Sequence, residues 1–85
     1  MTTFRADNLY VTIAPDTQYA TVYLRAFAGR DDIENDTPVA SVVRRRVIDR
    51  TSPVYRLIDR HTGVEYTGNM MHRLLRVYMQ AFIVR

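Results

Sequence analysis

The chain has 85 residues, 47% of them hydrophobic and 25% charged, with twelve basic residues against nine acids and a formal net charge of +3. That length holds one domain, 1–85, and the apolar content excludes a disordered polyelectrolyte. There is no cysteine, which excludes thiol catalysis, disulfides and a cysteine-bound zinc, and no stretch reaches the ~18 apolar residues of a membrane span.

Residues 1–7 lack the apolar run of a signal peptide, so the expected location is the cytoplasm, with no membrane partner. Residues 8–14 and 19–28 are rich in Val, Ile, Thr and Tyr and are separated by Pro15, Asp16 and Thr17. They read as a β-hairpin. Residues 29–38 collect Gly29, Asp31, Asp32, Glu34, Asp36 and Pro38, which predicts an exposed acidic connection.

Strand composition returns at 39–48, turn residues fill 49–53, and 54–59 form a further strand. After it, Asp59 can fold its carboxylate onto the following backbone amides while Gly63 takes positive φ, giving a tight turn into a short strand at 64–66. From Asn69 the spacing becomes helical, with Thr67 or Asn69 as N-cap. One broad side carries Met70, Met71, Leu74, Leu75, Tyr78, Ala81 and Phe82, and the other His72, Arg73, Arg76 and Gln80. The remaining Val77, Met79, Ile83 and Val84 make the apolar arc wider than one sheet face needs. The helix is therefore expected either to be buried on two sides, as at a dimer contact, or to stop near Met79 and give way to a strand. The expected fold is α+β, a small antiparallel β-meander of four to five strands packed against a C-terminal α-helix.

All twelve basic residues are arginine, and Arg44, Arg45 and Arg46 are consecutive. Arginine pairs bidentately with carboxylate or phosphate and stacks on flat groups, which suits contact recognition. A GC-rich coding sequence produces the same bias, so placement has to decide. With a five-residue loop at 49–53, Arg46 opposes Arg56, Arg44 opposes Ile58 and Val42 opposes Arg60. One face then carries Arg44, Arg46, Arg56 and Arg60, and the other Val43, Val47, Tyr55 and Leu57, with Arg45 near Asp59. A shorter loop or a bulge slips the register and dissolves the basic face into ordinary ion pairing.

These residues predict a non-catalytic binding module. Its arginine face, extended by Arg73 and Arg76, would grip an anionic partner such as nucleic acid or a nucleoprotein. The alternative is a small protein-binding inhibitor or adaptor that contacts a host protein and self-associates as a homodimer through Met70, Met71, Met79 and Phe82. Size and arginine bias fit an accessory protein of a bacteriophage or other mobile element. No cofactor or metal is expected: His61 and His72 lack zinc-ligand spacing, Ser41 and Ser52 lack a nucleophile turn, and three scattered glycines make no phosphate loop. His61 with Asp59 and Glu65 is the one conceivable acid–base cluster, and a solvated turn histidine is its plainer reading.

Overall fold

The computed structural model describes residues 1–27, 29–46 and 53–84. Six strands follow one another in an antiparallel meander whose spatial order is its chain order. They are β1 (Thr2–Ala6), β2 (Leu9–Ile13), β3 (Tyr19–Leu24), β4 (Thr37–Arg45), β5 (Val54–Asp59) and β6 (Glu65–Gly68), and helix α1 (Met71–Val84) completes the chain order. The meander has one strand more than the four to five expected.

The added strand is β1, joined to β2 by the two-residue turn Asp7–Asn8, so that Ala6 faces Leu9 and Thr2 faces Ile13. Asp7 holds φ 55, a left-handed conformation that a short polar side chain tolerates. Its threonines match the partner strand, Thr3 Oγ1 lying 2.9 Å from Thr12 Oγ1.

Strand alternation sorts side chains onto two faces. The inner face carries Leu9, Val11, Ile13, Val22, Ala40, Val42 and Leu57, all buried, and α1 adds Met71, Leu74, Leu75 and Tyr78 to the same cluster. Helix α1 touches β1, β2 and β6, hence both edges of the sheet. Six strands laid flat at ~4.8 Å spacing would set those edges ~24 Å apart, whereas a helix is only ~10 Å across. The sheet therefore curls into a half-barrel that grips the helix on two sides. That curl buries Met71, Leu74, Leu75 and Tyr78 of α1, and the helix runs through residue 84 instead of ending near Met79.

Met70 O accepts the first helical bond, from Leu74 N at 3.1 Å, so Met70 is the N-cap where Thr67 or Asn69 was expected. The tight turn after β5 forms as its residues require. Asp59 Oδ1 accepts the amides of His61 at 2.7 Å and Thr62 at 2.9 Å, and Gly63 has φ 75.

Candidate functional site

The pairing of β4 with β5 decides where the arginines go. Arg45 faces Val54, Arg44 faces Tyr55, Val43 faces Arg56 and Val42 faces Leu57. The last described pair is Arg45 with Val54, which leaves an even number of residues, 46–53, between them, whereas the expected arginine face required an odd number. An even connection reverses the faces of β5 relative to β4. Packing favours this register because it puts Val42 and Leu57, at 1% and 0% exposure, side by side in the core.

The expected quartet of Arg44, Arg46, Arg56 and Arg60 is accordingly not one face. Arg44 stands on the inner face, with Tyr55 and Leu57. Arg45 and Arg56 stand on the outer face, together with Arg60, whose Nε donates to Ser41 Oγ at 3.4 Å. Val43 likewise points outward, and Arg45 is separated from Asp59 by the sheet itself. Val47, Ile48 and the turn expected at 49–53, except Pro53, lie outside the described residues, as does Arg85.

Besides Arg60, two more of the quartet are engaged within the fold. Arg44 Nη2 donates to the carbonyls of Pro15 at 2.9 Å and Thr17 at 2.6 Å, with Ala14 O at 3.3 Å, so this guanidinium braces the β2–β3 turn. Arg46 borders the same cleft of about 350 Å³ beside Pro15, Asp16, Thr17 and Gln18. Arg56 Nη2 donates to Glu65 Oε1 at 2.6 Å, and that carboxylate strengthens the guanidinium's hold on its proton. Replacing Arg44 by methionine should cost about 1 kcal/mol in denaturant unfolding and speed amide exchange in the 14–18 turn, as expected for a partly solvated charged donor.

The acidic connection is also spent internally. Asp31 accepts from Arg5 at 2.7 Å and from Arg25 at 2.8 Å, and Asp32 accepts from Arg30 and Asn35. Asp36 is buried, a correction to the exposed loop expected from composition. Its Oδ2 accepts Tyr10 Oη–H at 2.6 Å and Asp32 N–H at 2.7 Å, and its Oδ1 accepts Ala26 N–H at 2.8 Å. Burial pushes the Asp36 carboxyl up, but the bonds from Tyr10, Ala26 and Asp32 and the nearby Arg25 outweigh it and hold the group below its ordinary value. Burial and the adjoining Asp36 hold the Tyr10 phenol well above its own.

The conceivable acid–base cluster does not assemble. Asp59 is buried on the inner face and accepts Tyr78 Oη–H at 2.7 Å. His61 is exposed, and Glu65 lies on the outer face with Arg56. Among the described residues no three His, Cys, Asp or Glu side chains could hold a metal ion, and no helix is long and apolar enough to cross a membrane.

The four residues expected at an oligomer contact divide. Met71 is 2% exposed and belongs to the core, so it is not a surface contact. Met79 and Phe82 are half-buried against the same core, whereas Met70 is 41% exposed. Met70 lines a cleft of about 250 Å³ that runs between β6 and α1, bordered by Tyr66, Thr67, Gly68, Asn69, Met70, Arg73, Leu74 and Val77. Val77, although apolar, is 53% exposed there. Helix α1 contains no acid, and among the described residues neither Arg73 nor Arg76 has an acidic partner within ion-pair distance. The cleft thus joins an apolar wall to the Arg73 guanidinium, which has no acidic partner among the described residues. Sequence periodicity found the arginines of this helix but not the cleft, whose signal is the exposed Val77 on an otherwise polar face.

Compared with protein-family models, with curated proteins and with solved structures, the chain matches none.

Proposed function

We propose that this chain is a non-catalytic binding module that recognises an anionic region of a partner protein through α1 and the cleft beside it. The observation that carries this reading is the contrast in charge pairing. Asp31, Asp32 and Asp36 have cationic or hydrogen-bonding partners of their own, whereas Arg73 and Arg76 sit exposed on a helix with no acid.

A protein partner is favoured over nucleic acid because the remaining arginines do not line up. Tracking a phosphate backbone requires several cations along one groove. Among the described residues Arg44 is bound to carbonyls, Arg56 to Glu65, Arg5 and Arg25 to Asp31 and Arg30 to Asp32, which leaves Arg45 and Arg60 on the outer face and Arg46 beyond the end of β4. An apolar wall beside a free guanidinium suits a protein surface, where an aliphatic contact is oriented by a flanking charge.

Affinity capture from a lysate treated with nuclease, using the wild-type chain and the Arg73→Glu/Arg76→Glu double variant, tests this reading. Retention of a specific protein by the wild type and at least about tenfold less by the variant is the expected result, since like charge at a recognition site costs more than 1.4 kcal/mol. Anisotropy titration with 20-nucleotide RNA and DNA at low salt should show no comparable binding. Nuclease-sensitive capture together with a steep salt dependence would overturn the reading in favour of nucleic acid.

A further inference from the structure

The cleft has a geometry more specific than a surface depression. Among the described residues strand β6 pairs with β5 on one side only and is the last strand of the sheet. Tyr66 and Gly68 point to the inner face and Thr67 to the outer, yet all three border the same cleft. Residues of alternate faces line one cleft together where it runs along the strand's edge. The cleft is therefore the open edge of β6, where alternate backbone N–H and C=O groups face away from β5.

Its far wall is the first two turns of α1. Met70, Arg73, Leu74 and Val77 follow the i, i+3, i+4, i+7 spacing of one helix stripe, which extends ~10 Å along the axis. An extended chain of three or four residues covers the same length. At about 250 Å³ the space falls below the ~300 Å³ at which small-molecule sites begin. It suits one or two side chains of a strand more than a cofactor.

Resting on the protein-binding reading above, we infer that this cleft is a strand-addition site: an extended segment of a partner protein pairs with β6 as a seventh strand, sets an apolar side chain against Met70, Leu74 and Val77, and places a carboxylate on Arg73. Main-chain bonds supply affinity in this mode, and side-chain pockets supply selection. A second copy of this chain is a poorer occupant. The other sheet edge, β1, has no acid of its own to offer Arg73, and the one acid of β6, Glu65, is already bonded to Arg56.

Panning a randomised ten-residue peptide display library against the full chain, followed by calorimetry and amide exchange on the enriched peptides, tests the inference. The expected peptides alternate apolar residues with at least one Asp or Glu, and they slow amide exchange within Glu65–Gly68. Arg73→Glu should weaken them at least about tenfold, whereas Arg30→Glu, the same charge change in the distant loop, should leave them within about twofold. A copy of the best peptide with alternate backbone nitrogens methylated should bind at least about tenfold more weakly, having lost its main-chain donors. Failure to enrich any peptide, affinity that survives Arg73→Glu or backbone methylation, or protection confined to other strands would overturn it. If lysate capture still depends on Arg73 and Arg76 while the peptides fail, the strand-addition site falls and the binding role of α1 stands.

Discussion

Asp59→Ala will be among the most damaging single substitutions in this chain, costing about 3–5 kcal/mol. Asp59 is 4% exposed and joins three parts of the molecule. Its Oδ1 accepts the His61 and Thr62 amides of the β5–β6 turn, and its Oδ2 accepts the Tyr78 hydroxyl of α1. Truncation strands three donors at once, the buried Tyr78 hydroxyl and the part-buried amides of His61 and Thr62, and a buried donor left without a partner costs roughly 1–3 kcal/mol. Part of the sum is recovered because Tyr78 Oη also lies 3.2 Å from Val39 O, a bond it can keep. Asp59→Asn should be far milder, about 1 kcal/mol. The amide oxygen can take the two turn amides and the amide nitrogen can donate to Tyr78 Oη, whose own proton then goes to Val39 O. Urea unfolding of the two variants checks the contrast. Equal losses would mean that the negative charge matters here and the bonding pattern does not. For a domain of this size the alanine variant corresponds to a fall in Tm of roughly 15 °C or more.

The second large effect is a loss of stability in acid that Tyr10 helps to set. The folded Asp36 carboxyl lies below its ordinary value of 3.8, so the folded state binds its proton less readily than the unfolded chain. Its contribution is fully present above pH 3.8 and is lost as the pH falls below that value through the folded one. Tyr10→Phe removes the shortest of the three bonds to this carboxylate, at 2.6 Å. Burial, which acts upward, then weighs more heavily. The variant should lose about 1.5–3 kcal/mol at pH 7, and its acid transition should begin at higher pH. A carboxyl-carbon NMR titration of Asp36 reads the shift directly. An unchanged midpoint in Tyr10→Phe would show that the Ala26 and Asp32 amides hold the charge alone. In base the sign is opposite. The phenol's raised value stabilises the fold up to its ordinary value of 10.0 and the benefit is lost as the pH climbs through the folded value.

Local chemistry in this chain was legible wherever one or two residues decide it. The β2–β3 hairpin, the span Val54–Asp59 and the Asp59–Gly63 turn follow from strand composition, an Asx carboxylate and a glycine, and the structure has all three. Most of the helix faces were legible as well, because a 3.6-residue period repeats its signal over four turns. What failed depends on parity or on distance. Val54 faces Arg45 where Ile48 was expected, and that odd shift moved Arg56 and Arg60 to the face opposite Arg44. Strand β1 was missed because Thr2, Thr3 and Arg5 make a weak strand alone and gain their place by pairing with β2. Asp36 read as a solvated loop acid, since nothing in its neighbours along the chain announces that Tyr10 stands beneath it.

The grip of the curled sheet on α1 has a bearing on biosynthesis. The helix is the last of the seven elements to leave the ribosome, yet it covers β1, the first. At ~5–20 residues per second its 14 residues take roughly one to three seconds to add. Until those residues have left the ribosome and packed, the nascent meander presents a bare oily concavity, and a holding chaperone has its opportunity then.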